Sequence, residues 1–425
     1  MTGPRLGVIA DDLTGACDLA DAVRDAGGRA VVMLGVPEPG LRLPPCDCAV
    51  VALRTRTAPA DIAVAESVAA ARHLLAAGAG TLYQKYCSTF DSTDDGTIGP
   101  VADALRTLVG DGSPAPSIGT PATPRAGRTQ YQGHLFVGDR LLSESPLRHH
   151  PLTPMHDPDL IRVLGRQTAH PVALLPWAVL HTADPARALA DLLDTGAAHV
   201  LADALTDDDL DRLAAALPTD RPVLLGGAAG FAAALARRWT PDRTNEPPTH
   251  AADPGTSRAL IISGSCSART REQIAHFDGP RLDLDAVALA EGRLTVDDLV
   301  DRLADHYRHG TGPVLVSSSA DPDTVRGTQD RLGRDRAAQL LERAAGQLAA
   351  RAVQDLGVRR LLVAGGETSG AVVGALGLGV LQVGPAAAPG VPWMIPAEGP
   401  PIRLLLKSGN FGDPELFRTA WEVCP

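Results

Sequence analysis

The sequence predicts an α/β protein of two domains, each a mainly parallel sheet flanked by helices, with the active site in the interdomain cleft. Three observations lead there. Short β-branched runs alternate with alanine-rich helical stretches through both halves. One stretch without periodicity, Pro241–Ser257 (PDRTNEPPTHAADPGTS), separates the halves as a linker. Polar and glycine residues gather directly after the predicted strands, where open α/β sheets bind their ligands. The division is therefore 1–240, a linker at 241–257, and 258–425.

In the first half, Leu6–Ala10, Ala30–Leu34, Ala49–Leu53 and Thr81–Tyr83 read as strands, followed later by Val172–Leu175, His199–Leu201 and Val223–Leu225. Asp61–Ala77 reads as an amphipathic helix opened by Asp61, and another opens near Ile98. Gly127–Leu142 alternates like a hairpin inserted between strands. The second half repeats the α/β theme with strands at Ala259–Ile262, Val314–Val316, Leu361–Val363, Leu381–Val383 and Leu404–Leu406. Its helices are expected around Arg269–Phe277 and across Arg336–Asp355.

Composition narrows the function. The chain has 425 residues, 44% of them hydrophobic, ample for buried cores. Thirty-nine basic against 50 acidic residues give −11, which argues against a nucleic-acid footprint. No apolar run approaches the ~20 residues of a membrane span. Asp11, Asp12, Asp18, Asp21 and Asp25 are foreign to a secretion signal, and the six scattered cysteines fit no zinc spacing. A reduced, cytoplasmic protein is expected. No GxxxxGK[ST], HExxH or GxSxG occurs, and no GxGxxG follows the first strand.

Lysine occurs only at Lys85 and Lys407, so arginine supplies 39 − 2 = 37 of the basic residues. Ammonium is a compact point charge and guanidinium a planar fork. A lysine surviving in so arginine-rich a chain is a candidate for a tight pocket where only ammonium fits, the alternative being chance survival on the surface. Lys85 falls at the end of the fourth strand, before Tyr86-Cys87-Ser88-Thr89-Phe90-Asp91-Ser92, where Asp91 can orient or deprotonate a hydroxyl and Ser92 can donate to it. Asp11-Asp12 follow the first strand, and a plain helix cap with a neighbouring acid would look the same. Arg54-Thr55-Arg56 follow the third. In the second half the strand-end loops are Ser263-Gly264-Ser265, Gly365-Gly366-Glu367-Thr368 and Lys407-Ser408-Gly409-Asn410: hydroxyls, glycines and helix starts suited to phosphates. The first half thus suits an acidic polyol and the second a polyphosphate. Cys17 and Cys87 read as packing residues, His149-His150 and His181 as structural, and Asp207-Asp208-Asp209 as a capped, solvated helix start.

IADDLTGACD, SGSCSART, AGGETSGAVV and LKSGNFG together resemble the four-carbon acid sugar kinase family, over nearly the whole chain. KYCSTFDSTDDGTIGP, GRTQYQGHLFVGDRLLSES and HPLTPMHDPDLIRVL are similar to its 3-oxo-tetronate kinase branch, with departures at Asp94-Asp95 and Thr97. The resemblance implies an N-terminal sugar-acid-binding domain, a C-terminal nucleotide-binding domain, and transfer of the ATP γ-phosphoryl to O4 of 3-oxo-tetronate. It implies ATP contacts at Ser263, Ser265, Gly365, Gly366, Glu367, Thr368 and Gly409, and substrate contacts at Asp11, Asp12, Arg54, Lys85, Asp91 and Ser92. Asp12 or Asp91 is the candidate base and Lys407 the candidate phosphate cation. Mg²⁺ is expected with the nucleotide, its ligands unassigned. ATP and a small C4 sugar acid are the expected partners, with neither nucleic acid nor membrane and with a homo-oligomer left open. The alternatives are a threonate or erythronate kinase of the same family, a non-catalytic sensor, and an oxidoreductase disfavoured by the missing dinucleotide fingerprint.

Overall fold

The computed structural model describes residues 3–38, 40–91, 93–149, 153–240 and 257–425. Residues 241–256 of the expected linker (241–257) and the candidate Ser92 lie outside the described residues. The chain divides into two units, Met1–Asn245 and Glu246–Pro425. Among the described residues no helix is long and apolar enough to cross a membrane.

The first unit has strands β1 (Leu6–Ala10), β2 (Ala30–Leu34), β3 (Cys48–Ala52), β4 (Thr81–Lys85), β5 (Ser117–Thr120), β6 (Arg128–Tyr131), β7 (His134–Val137), β8 (Arg140–Leu141), β9 (Val172–Leu175), β10 (His199–Ala202) and β11 (Leu224–Gly227). Eight of them form a sheet in the order β2-β3-β1-β4-β11-β5-β10-β9, parallel at every pairing. All five residues of β1 are buried, as a strand covered on both faces requires. Helices Leu13–Asp25, Ala60–Ala76 and Ile98–Val109 return the chain between strands.

The alternation at Gly127–Leu142 does build a separate antiparallel sheet, β6-β7-β8. Asp203, wholly buried just after β10, pins its turn by accepting from the amides of Gln132 (2.8 Å) and Gly133 (3.0 Å), and also from that of Trp177 (3.1 Å). Leu135 and Leu142 carry the insertion into a core with Tyr86, Phe90, Ile98 and Leu160. Strand β5 was not legible, being only four residues with two of them Ser and Gly.

The second unit contains β12 (Arg258–Ser263), β13 (Arg281–Asp283), β14 (Val314–Ser317), β15 (Val358–Ala364), β16 (Val380–Ala388), β17 (Val391–Pro396) and β18 (Arg403–Lys407). Their order is β13-β14-β12-β15-β18-β17-β16. The first five are parallel, whereas β17 runs antiparallel to both neighbours. The sequence offered no sign of β17. Its hairpin with β16 turns at Gly390 (φ +71°), and the pairing shifts register between Val383 and Ala386, where Pro385 falls. Bulges accommodate a proline that a regular ladder would not. Trp393 from β17 completes a core with Ile261, Leu362, Leu405 and Phe417.

Candidate functional site

The carboxyl ends of β1, β3 and β4 come together by register: Ala10 stands opposite Ala52 on one side and Lys85 on the other. The next residues must therefore meet. Thr55 and Arg56 donate their amides to the Asp11 carbonyl (3.0 and 3.2 Å), which turns the Arg56 side chain back over the aspartates. Its guanidinium grips both Asp11 oxygens (2.9 and 2.8 Å) and reaches Asp12 Oδ1 (2.6 Å). Such forked, charge-assisted bonds are the strong ones. Asp12 also caps the helix Leu13–Asp25, accepting from Gly15 N (3.0 Å), and takes the Thr14 hydroxyl at 2.5 Å. Burial pushes the Asp12 carboxyl up, but Arg56, Lys85, Thr14 and Gly15 outweigh it and hold it below the usual carboxylate range.

Lys85 is buried at 3% exposure, being the last residue of β4, which runs two residues past its expected end. Its ammonium donates to the Tyr86 carbonyl (2.9 Å). A Cβ built on Gly15 would lie 2.9 Å from Lys85 Nζ, so the bare glycine at the helix start is what admits the cation. Beyond it, Phe90 adopts φ +54° with its ring wholly buried, edge-on to Tyr86 at 5.2 Å. That anchor costs about 1 kcal/mol or more of backbone strain and fixes the flanking Thr89 and Asp91, joined at 2.6 Å. Burial pushes the Cys87 thiol up to about 11 and the Cys17 thiol further, so neither is a nucleophile at neutral pH.

In the second unit the register again aligns strand ends, with Ser263 opposite Ala364 and Ala364 opposite Lys407. Gly264 and Ser265 donate to the Ala364 carbonyl, and Gly365 to that of Lys407. Two helices start here, Ala268–His276 capped by Ser267, and Gly366–Ala375 after Gly365 at φ +119°. Side chains would not fit the crossings: a Cβ on Gly264 would meet Thr368 Oγ1 at 2.1 Å, and one on Gly409 would meet Ser265 Oγ at 2.6 Å. Lys407, with no exposed surface, lies beneath these loops and donates to Thr270 Oγ1 (2.9 Å) and the Gly409 carbonyl (3.2 Å). Ser267 donates to the same carbonyl at 2.5 Å. Burial, with Arg269 nearby, pulls the Lys407 ammonium down to about 7. Ser263, Gly264, Cys266, Glu367 and Thr368 line one side of a cavity of about 780 Å³ within this unit, whose far wall includes Ala337 and Leu341. Its size and its apolar wall beside hydroxyls and amides suit a nucleotide.

The structure thus brings Asp11, Asp12 and Lys85 together, with Thr89–Asp91 on the adjoining loop, and gathers Ser263, Ser265, Gly365, Thr368, Lys407 and Gly409. Gly366 and Glu367 are exposed at the start of their helix. Arg54 is exposed, and it is Arg56 that reaches the carboxylates; nothing in Arg-Thr-Arg distinguishes the two. Thr270, the hub under Lys407, had no sequence signal beyond its place three residues after Ser267. Thr206 and Asp209 do form a capping box. Asp209 is nevertheless buried rather than solvated, because His181 (2.7 Å) and the Trp177 indole (3.2 Å) cover its carboxylate.

The model of a sugar-binding N-terminal domain matches residues 6–235, and that of a nucleotide-binding C-terminal domain matches 260–417. A 3-oxo-tetronate kinase of Methylobacterium radiotolerans is 46% identical, with 98% of this chain and 99% of that protein covered. A Salmonella typhimurium 3-oxo-tetronate kinase is 38% identical over 97% of each. Among solved structures, a Salmonella typhimurium LT2 protein provisionally described as a tRNA synthase superposes with a TM-score of 0.85 at 36% identity, over 98% of each chain. A Haemophilus influenzae protein gives 0.80 at 35% identity, over 98% of this chain and 99% of that one.

Proposed function

The chain belongs to the family that joins a sugar-binding N-terminal domain to a nucleotide-binding C-terminal domain and includes these 3-oxo-tetronate kinases, and from that premise we propose that it transfers the γ-phosphoryl of ATP to the O4 hydroxyl of 3-oxo-tetronate. The observation that carries this reading is a 46% identity that runs through 98% of the chain, both units included.

Residues 1–240 are the sugar-acid domain in this reading and 258–425 the nucleotide domain. Lys85 pairs with the substrate carboxylate as a point charge, helped by Arg54. Asp12, kept ionised, accepts hydrogen bonds from substrate hydroxyls, while Arg56 holds Asp11 and Asp12 in place. Asp91 and Ser92 complete that side. On the nucleotide, Ser263, Ser265 and Thr368 offer hydroxyls, Gly365, Gly366 and Gly409 allow close backbone approach, and the helix starts favour phosphate charge. Lys407 acts as a positioning residue, its ammonium tying the Gly409 loop to Thr270. Phosphoryl transfer is chiefly positioning and charge stabilisation, and it requires O4 and the γ-phosphoryl to meet in line.

Mg²⁺ fits a donor set of this kind. Glu367 offers one carboxylate beside the phosphate loops, and such an ion is held by one or two carboxylates together with phosphates and water rather than by an all-protein cage. When bound it supplies neutralisation of charge on the β- and γ-phosphates. A kinase drawing on ATP works in the cytoplasm in this reading. A tRNA substrate lacks support in the chain's net charge of −11, since phosphate backbones are held by clustered Lys and Arg.

The test is a coupled ADP-release assay with 3-oxo-tetronate, threonate and erythronate side by side. Fastest turnover on the oxo-acid is expected. Preference for a hydroxy-acid would move the chain to a sibling specificity, and binding of both ligands without ADP release would make it a sensor.

A further inference from the structure

We propose that Asp18, on the helix Leu13–Asp25, is the general base that accepts the O4 proton, an inference that rests on the kinase reading above. An accounting of carboxylate oxygens leads to it. Arg56 occupies both oxygens of Asp11. Asp12 is engaged by Arg56, Thr14 and Gly15, and Asp91 accepts from Thr89. Asp18 makes no hydrogen bond or ion pair with any described residue, although it is partly buried. It stands three residues after Gly15 and four after Thr14, on the same helical face. Helical side chains lean toward the N-terminus, so its carboxylate is directed over the bare Gly15, where the Lys85 ammonium sits.

The groups that face Asp18 come from several elements. Asp12 stands at the start of its own helix, Cys17 adjoins it, Lys85 comes from β4, and Arg128 comes from β6 of the inserted hairpin. Arg128 is joined through its backbone to Thr123, just past the end of β5, so it lies at the same end of the sheet as Asp11 and Lys85. Its Nε is buried without a hydrogen-bond partner among the described residues, while another nitrogen of the same guanidinium donates to the Ala126 carbonyl. Burial pushes the Asp18 carboxyl above its ordinary range; Lys85 pulls it back, Asp12 pushes it further and Arg128 restrains it. Its neighbour Asp12 moves the opposite way. Two adjacent carboxylates driven apart in this manner divide the labour, the lower one binding and the higher one exchanging protons.

The step balances. As an O4 lone pair forms the bond to the γ-phosphorus, the O4 proton passes to the Asp18 carboxylate. The bond from that phosphorus to the β–γ bridging oxygen breaks, and its electron pair leaves with ADP. Asp18 returns its proton to water once the phosphorylated product has gone. Lys85 and Arg128 favour the ionised form of Asp18 that can accept the proton.

The near-isosteric Asp18→Asn variant tests this. Its kcat should fall by about 10²- to 10⁴-fold, the usual span for loss of a general base. KM for ATP and for the oxo-acid should stay within about threefold, since the lost interaction belongs to the transition state. Wild-type kcat should decline on the acid side as Asp18 takes up a proton, and that limb should be absent from the variant. A raised KM at unchanged kcat, or an acid limb that persists in Asp18→Asn, overturns the proposal. Calorimetric binding of the oxo-acid, which the first unit takes, reports whether the variant is folded there. Should it not fold, the wild-type profile decides alone: kcat that stays level through the acid range defeats the idea. Failure of the wild-type chain to release ADP with any C4 acid defeats the kinase reading instead.

Discussion

The two units solve one topological problem with opposite electrostatics. Each places its loops at the carboxyl ends of parallel strands, just before a helix starts. In the first unit the charges are answered on the spot: Arg56 spans Asp11 and Asp12, and Lys85 lies within the field of Asp12. In the second, the buried cation Lys407 is met by a hydroxyl, a carbonyl and the Phe417 ring, with no carboxylate among its described partners. A site for a ligand of hydroxyls and one carboxylate needs both signs of charge in balance. A site for a polyanion does better with amides, hydroxyls and a cation left unanswered.

Of the substitutions that probe this contrast, the largest effect is expected at that buried cation. Lys407→Met unties Thr270 from Gly409, and displacements near 1 Å in a positioning element can cost about 100-fold in rate. We expect kcat/KM for ATP to fall by roughly that factor, with the affinity for the acid sugar intact. The same variant carries a pH signature. Because the folded value of about 7 lies below the ordinary 10.5, burying this ammonium costs stability in full below pH 7, and the cost fades as pH rises toward 10.5. Denaturant unfolding should show wild-type stability gaining on Lys407→Met across that window; a constant gap between the two would remove the uncompensated-cation argument.

Arg56→Leu attacks the balanced side. It leaves two carboxylates facing each other, and since the trio is partly exposed the loss should be roughly 2 kcal/mol, under the 3–5 typical of fully buried pairs. Chemical unfolding measures it, and a neutral result would mean the aspartates are held by something else. Gly365→Ala imposes a side chain at φ +119°, with its Cβ 3.3 Å from Ser265 N. About 1–2 kcal/mol of stability and a weaker grip on ATP are expected, both readable by thermal shift with and without nucleotide. Thr270→Val removes the hydroxyl that accepts from Lys407 and donates to the Gly409 carbonyl, with hydrogen bonds of about 1 kcal/mol each, and the smallest effect on turnover is expected from it, a weaker affinity for ATP that calorimetry reads.

Most of this comparison could be read from residue types. Strands rich in Val, Leu and Ile announced the parallel sheets, and two lysines among thirty-seven arginines pointed to the two strand ends that the structure buries. Three things were hidden. Arg54 and Arg56 are chemically identical, and only the pair of amides given to the Asp11 carbonyl decides which one folds back. The β16–β17 hairpin was masked by prolines that a register shift accommodates. Asp18 stood inside a motif quoted for its neighbours, and its lack of partners among the described residues is a property of packing, invisible until the nearby donors have been assigned.

Both ε-amino groups of this chain are enclosed, Lys85 at 3% exposure and Lys407 at none. An acylating reagent that attacks primary amines therefore finds no lysine on the folded surface. Toward a reagent too bulky to follow the substrate, each ε-amine becomes reactive only when its own unit opens, so the mass added with time to the peptide that carries it is a clock for local opening. With one tick per unit, the two halves can be timed separately in a single sample, with no label engineered into the chain.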